Sequence, residues 1–268
     1  MPSYIVAVSG GVDSVVLLDI ISKKEDTRLV VAHVDHGIRD DSTKDAIFVE
    51  NLAKKYKLPF ESVQLKLGKY SSEDVSRQER YRFLEELAKK YDAQIVTAHH
   101  KDDIIETMIL NILRGTGWRG LCSLRSESIY RPLLSMEKQQ LIDYAKENDL
   151  SWREDSTNTD TTYLRNHVRH KIIAKIDKET WWKIYQRQCQ IRNDIDNLLS
   201  GFNSNRRYDF IMYPESVALD ILRNRYYLTR PQAKKMLYAI KVSRPGSKVE
   251  LSKFVSIHLK KDDFTVEM

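Results

Sequence analysis

A short apolar run that stops at two glycines and resumes as a helix constrains this chain more than any other stretch. Ile5, Val6, Ala7 and Val8 form the kind of β-rich run that is buried on both faces of a parallel sheet, and Ser9-Gly10-Gly11 ends it abruptly. From Val12 onward Val15, Val16 and Ile20 recur at close to helical spacing, with Leu17, Leu18 and Ile21 widening the apolar face. The spacing predicts a strand, a tight turn and a helix. Glycines let the backbone turn sharply, and the N–H groups of a first helical turn have no partners within the helix, so they point outward as an anion site. Ser9, Gly10, Gly11, Val12, Asp13 and Ser14 are therefore candidates to hold a phosphate. The plainer alternative is a turn capped by Ser9 or Asp13.

Neither Gly-x-Gly-x-x-Gly nor Gly-Lys-Ser/Thr is present at this turn. Asp13 stands inside it instead, where a carboxylate repels a bare phosphate but suits one that arrives with magnesium. Asp13 is thus the candidate magnesium ligand.

The 268 residues allow a main domain and a smaller appendage, and no apolar run approaches a membrane span. With a strand starting directly at the N-terminus, a cytoplasmic protein without a membrane partner is expected. Cys122 and Cys189 are the only cysteines and form no Cys-x-x-Cys, so they read as small buried hydrophobes rather than a disulfide framework or zinc ribbon. Charge is unevenly spread. Residues 1–150 carry 22 basic and 24 acidic side chains, whereas residues 151–268 carry 22 and 14. A positive second half suggests a nucleic-acid partner, against the alternative of a solvated basic surface.

Arg28 to His33 reads as a second buried strand whose tip, Val34-Asp35-His36-Gly37-Ile38-Arg39, should lie beside the first loop, making Asp35 and Arg39 site candidates. A helix is expected over Asp45 to Tyr56, a strand from Pro59-Phe60 to Leu67, and a helix from Ser71 to Tyr91 with Arg77, Arg80 and Arg82 available to phosphates or solvent. After a strand at Gln94 to Ala98 comes His99-His100-Lys101-Asp102-Asp103-Ile104-Ile105-Glu106. Adjacent histidines point in different directions and His-x-x-x-His is missing, so no dedicated transition-metal site is expected. Asp102 and Asp103 read either as helix caps or as carboxylates that orient magnesium, an amine or a hydroxyl. The helix ends at Arg114-Gly115-Thr116-Gly117, where glycines would let Arg114 swing over a nucleotide.

A turn at Arg131-Pro132, a helix from Lys138 to Asn148 and a long helix from Trp181 to Leu199 follow. Tyr163-Leu164-Arg165-Asn166-His167-Val168-Arg169-His170-Lys171 mixes basic, aromatic and amide groups in a way that suits RNA, so Arg165, Asn166, Arg169 and Lys171 are candidate RNA contacts. The alternative is a solvated helix face. The remainder predicts helices near Val217 to Tyr227 and after Pro231, then a hairpin of Val249 to Leu259 with Phe264 to Glu267. The expected fold is a parallel α/β sheet of about five strands with helices on both faces, plus a small C-terminal α+β domain. The expected domains are a nucleotide-binding, catalytic part at 1–185, a connecting helix at 186–204 and a basic RNA-contact part at 205–268.

Ser-Gly-Gly-Val-Asp-Ser resembles the PP-loop of the ATP pyrophosphatases, a likeness that implies cleavage of ATP between the α and β phosphates. The ordered set of motifs is more specific. Ser9 to Ser14, His33 to Arg39, Arg77 with Arg80 to Leu84, Thr97 to Thr107, Arg114 to Gly117 with Gly120-Leu121, Arg131 to Leu134 and Glu154 to Asn166 resemble the tRNA(Ile)-lysidine synthetases over about the first 170 residues, and more weakly in the tail. The resemblance implies ATP and magnesium as cofactors, with free L-lysine and the isoleucine tRNA bearing a CAU anticodon as partners. Lysine would be joined to C2 of the wobble cytidine through an adenylated intermediate. It implies catalytic work for Asp35 and Arg114, and makes Asp102, Asp103 and Glu106 the partners of the lysine ammonium, one of them as general base. The short C-terminal region and Thr116, where serine is common, depart from the family. Three alternatives stand beside this reading: a PP-loop tRNA thiolase, disfavoured by the two distant cysteines; an amidating synthetase, which leaves the basic half unexplained; and a tRNA-binding protein without chemistry.

Overall fold

The computed structural model describes residues 1–35, 42–65, 73–122, 124, 126, 128–153 and 164–268, with backbone alone at residues 42, 43, 73 and 74. The chain divides into two compact units, Met1–Gln186 and Arg187–Met268.

In the first unit, strands β1 (Ser3–Ala7), β2 (Arg28–Asp35), β3 (Phe60–Gln64), β4 (Gln94–Val96) and β5 (Ile129–Tyr130) form one parallel sheet in the order β3-β2-β1-β4-β5. Helices α1 (Val12–Ser22), α2 (Ser42–Lys55), α3 (Glu73–Tyr91), α4 (Lys101–Leu113), α5 (Lys138–Glu147) and α6 (Leu164–His167) accompany it. Alternation along the strands explains the unbroken apolar runs. Val6, Leu29, Val31 and Val96 face a core shared with α1, α2 and α5, while Ile5, Val30, Ala32 and Ile95 face Leu84 and Leu87 of α3. Both faces are covered, so neither parity of a strand can be polar. The expected five-stranded sheet is present. Its fifth strand, at two residues, is too short to carry a readable period.

Asp19 fastens the α1 side. Its Oδ1 accepts from Tyr56 (2.7 Å), and its Oδ2 accepts from Tyr144 of α5 (2.7 Å) and pairs with Lys23 (2.7 Å). Burial pushes the Asp19 carboxyl up, but the donors Lys23, Tyr144 and Tyr56 outweigh it and hold the pKa below the ordinary value. Because the folded pKa is depressed, the stabilisation is complete above the unfolded pKa and is lost as pH falls through the folded one. Asp19→Asn should cost roughly 1–3 kcal/mol at neutral pH. The difference from wild type should shrink below about pH 4. Thermal melts across that range check it, and parallel curves would contradict it.

The second unit is built from the later part of α7 (Lys178–Ser200), then α8 (Arg207–Met212), α9 (Glu215–Arg225) and α10 (Arg230–Val242) with strands β6 (Lys248–Ser252), β7 (Val255–Leu259) and β8 (Phe264–Glu267) in an antiparallel sheet. Phe210, Leu222, Met236, Ile240, Ile257 and Phe264 are its buried core. The sheet corrects one expectation. Val249 to Leu259 is two strands rather than one, because Lys253 and Phe254 form a turn that leaves Phe254 77% exposed. Arg207 ties this unit together by donating to the carbonyls of Ile240, Ser243 and Lys260.

Candidate active site

The strand order reverses between β1 and β4, and ligands of open parallel sheets sit in the crevice that such a reversal opens at the carboxyl ends of the strands. The segments that leave these two strands are the Ser9–Ser14 loop and the His99–Asp103 stretch. They meet. His100 Nε2 stands 3.7 Å from Asp13 Oδ2 and 3.4 Å from Asp103 Oδ2.

Gly10 adopts φ +95°, a conformation that costs an L-residue roughly 1–2 kcal/mol. A Cβ there would lie 3.4 Å from Phe48 Cδ1 and 3.5 Å from Val49 Cγ2. Ser14 Oγ donates to the Gly11 carbonyl (2.9 Å) and accepts longer contacts of 3.2 Å from the Ser9 and Gly10 N–H groups. These amides thus converge on one oxygen. Arg153 N donates to the Gly10 carbonyl (2.9 Å) while its Nε meets Asp45 (2.7 Å), bracing the turn from outside. Gly10→Ala should lower the melting temperature by roughly 3–6 °C and weaken ATP binding together. Unchanged binding would remove the loop from the site.

Asp13 lies in the first turn of α1, where the helix dipole favours negative charge. Lys138, at the start of α5, reaches both its oxygens (2.7 and 2.9 Å). Sequence reading missed this lysine and His100 as neighbours of the loop. Their sequence separations from Asp13, 125 and 87, hide a proximity that only the sheet order creates. Asp35 ends β2, is 7% exposed and accepts from Gln64 Nε2 (3.3 Å), which places it toward β3. Arg39 and the stretch from Glu154 to Tyr163 lie outside the described residues.

The other carboxylates are occupied. Asp102 accepts from Lys178 Nζ (2.6 Å) and the Lys138 N–H (3.3 Å). Asp103 caps α4 through the His100 N–H (3.1 Å) and meets Arg169 Nη2 (3.3 Å), so its capping alternative is realised. Glu106, 0% exposed, is clasped by Arg165 on one oxygen and by Arg169 on the other (2.8 and 2.9 Å). Two consequences differ from expectation. The structure sets Glu106 as a buried counter-ion with both oxygens engaged, and it turns Arg165 and Arg169 inward to that carboxylate rather than leaving them as an outward RNA-binding pair. Asn166 is half-buried and Lys171 is exposed. Arg114 is exposed at the carboxyl end of α4. With 1.5 Å of rise per residue, that is roughly 20 Å along the helix axis from His100, so this structure does not bring Arg114 to the loop.

No group of three or more His, Cys, Asp or Glu suited to a metal exists among the described residues. Asp13, a single carboxylate in the first turn of α1 beside the loop, suits an ion bound through one carboxylate and substrate phosphates, the usual manner of magnesium.

A phosphate-binding turn at the switch of a 3-2-1-4-5 parallel sheet defines an α/β nucleotide-binding protein of the PP-loop class. The chain belongs to the PP-loop family, whose PP-loop domain model matches residues 2–176. More particularly, its curated relatives are tRNA(Ile)-lysidine synthases. The one from Thermotoga sp. (strain RQ2) is 31% identical over 268 aligned positions, covering 90% of this chain and 65% of that protein. The one from Thermosipho africanus is 40% identical over 184, covering 63% of this chain and 42% of that protein. The chain thus spans under two thirds of the length of these relatives. The U34-tRNA thiolase NcsA from Methanococcus maripaludis, solved with its [4Fe-4S] cluster, shares the fold at a TM-score of 0.58 and 18% identity over 71% of each chain. No helix among the described residues is long and apolar enough to cross a membrane.

Proposed function

We propose that this chain is a tRNA(Ile)-lysidine synthetase: it activates the C2 carbonyl of the wobble cytidine in the CAU anticodon with ATP and joins free lysine there, releasing AMP and pyrophosphate. The observation that carries the reading is Asp13 one residue into α1, beside the left-handed Gly10 turn and facing Lys138 and His100, in a chain whose relatives bear that name. The setting is the cytoplasm, where tRNA is modified.

An amide-like carbonyl is a poor electrophile, and transferring its oxygen onto the α phosphate turns that oxygen into a leaving group for amine attack. When the nucleotide enters, phosphate oxygens take the place of Ser14 Oγ on the Ser9 and Gly10 amides, and the Val12 and Asp13 N–H groups that open α1 orient the β and γ phosphates. Magnesium, when bound with ATP, neutralises charge developing on the phosphates. Asp13 would hold the ion in place of Lys138, which would then be free to reach a phosphate oxygen. Asp35 orients the nucleotide or the base from the β2 side. Asp102, whose Lys178 partner is on a helix of the same unit, is the carboxylate best placed to meet a substrate ammonium and take its proton, because it exchanges one lysine ammonium for another. Arg114 reaches the α phosphate only if 114–117 swings inward, for which Gly115 at φ +66° supplies the backbone freedom. Lys171 and Asn166, and the second unit with 15 basic and 9 acidic residues, contribute phosphate contacts to the tRNA.

Chromatography of the nucleotide products from α-labelled ATP tests the reaction class. AMP formed only with unmodified tRNA is expected, and ADP would overturn the reading.

A further inference from the structure

On the α3 side of the sheet, at the same carboxyl edge as the phosphate loop, several guanidinium groups converge on His99. Arg77 and Arg80 of α3 place Cζ 5.1 and 5.3 Å from the centroid of the Tyr81 ring. Arg131, just after β5, is only 8% exposed. Its Nη1 donates to the carbonyls of Ile129 (3.3 Å) and Ser126 (3.5 Å), whereas its buried Nε has no partner among the described residues. His99 shares a hydrogen bond with Thr97 (2.8 Å) and is kept neutral: burial first, then the charges of Arg131, Arg80, Arg77 and Arg165, push its pKa down to about 3. The nearby carboxylates Glu106 and Asp103 are engaged by Arg165 and Arg169. No carboxylate among the described residues lies within ion-pair distance of Arg77, Arg80 or Arg131.

Buried positive charge without a counter-ion is costly; Arg131 is buried and Arg77 and Arg80 are half-buried over the Tyr81 ring, and such a cluster is completed by an anion. Planar guanidinium forks match a carboxylate in two-point fashion. The recess of Arg131 favours a small anion over an extended phosphodiester chain. The helical spacing of α3 leaves Arg77, Arg80 and Arg82 able to face phosphates or solvent. Arg82 does face solvent, pairing with Glu79 and Glu86, but the other two do not share its exposure.

We propose that Arg77, Arg80 and Arg131, grouped about Tyr81 and His99, bind the α-carboxylate of the amino-acid substrate. This rests on the ligation reading, in which lysine must be held by the end that does not react. Anchoring the carboxylate leaves the ε-amine extended toward the activated base. It also gives the enzyme a means of rejecting simple polyamines, which carry amines but no carboxylate.

The test compares lysine with cadaverine, which is lysine without its carboxylate. Calorimetric titrations use the full chain, with and without unmodified tRNA, for wild type, Arg80→Gln and Arg131→Gln. Wild type should bind lysine at least ~10-fold tighter than cadaverine. Each variant should lose roughly 10- to 100-fold for lysine, the scale of one charge-assisted hydrogen bond, and little for cadaverine. Melting curves accompany the titrations, and should Arg131→Gln fail to fold, Arg80→Gln and Arg77→Gln carry the comparison. Equal losses for both ligands, no loss, or a loss confined to tRNA would overturn the proposal; the last result would assign the arginines to RNA phosphate. Wild type that favours lysine in this pattern without incorporating it would leave the subsite standing and sink the ligation. Wild type that binds lysine no better than cadaverine would sink the subsite, whatever the RNA assay shows.

Discussion

Glu106→Gln should lower the melting temperature of the first unit by roughly 10 °C. The wild-type carboxylate is completely buried and each oxygen is held by an arginine. Glutamine keeps the volume but removes the charge, leaving Arg165 and Arg169 crowded together beside an amide. Breaking a buried ion pair by removing one partner costs about 3–5 kcal/mol. The lower end applies here, because the arginine side chains retain 36% and 38% exposure and can rehydrate. At roughly 2–4 °C per kcal/mol for a unit of this size, the shift is near 10 °C. Differential scanning calorimetry checks it. A melting temperature within about 2 °C of wild type, combined with lost activity, would instead make Glu106 a chemical participant and revive its expected role as partner of the lysine ammonium.

Asp13→Ala should reduce ATP-dependent turnover by roughly 10²–10³-fold, the usual size of losing one preorganised electrostatic partner of a reacting phosphate. Binding should behave in the opposite way. Without Asp13, Lys138 has no carboxylate at 2.7 Å and is left facing the loop as an uncompensated cation. Nucleotide without magnesium should therefore bind as well as, or better than, it does to wild type. The split between turnover and affinity separates a metal-bearing carboxylate from a merely structural one. If affinity falls in step with turnover, Asp13 shapes the loop and does not hold the ion.

Local pattern was enough for the architecture of the first unit. The run Ile5 to Val8 had to be buried on both sides, and the packing of Val6 against α1 and Ile5 against α3 shows why. The glycine turn was legible for the same reason: few residues tolerate φ +95° beside a helix start. Pairings between distant segments were not legible. Nothing in the spacing says that Lys138 meets Asp13, or that Arg165 and Arg169 turn inward to Glu106 rather than outward to RNA, because a helix carrying alternate basic groups looks the same from either side. The split of Val249 to Leu259 into two strands was hidden by Phe254, an apolar residue that sits exposed at a turn tip. Arg114 illustrates a further limit. A sequence shows which glycines permit a swing but not where the side chain rests, and here it rests at the far end of α4.

The central claim is that this fold spends ATP to attach lysine to RNA. Incubating the purified chain with radiolabelled lysine, ATP, magnesium and unmodified isoleucine tRNA bearing a CAU anticodon tests it most directly. Label should appear in the RNA, at a rate roughly 10²–10³-fold lower with Asp13→Ala, and not at all when the wobble cytidine is replaced by uridine. Pyrophosphate release without labelled RNA would contradict it, retaining an adenylating PP-loop enzyme but making lysine the wrong nucleophile.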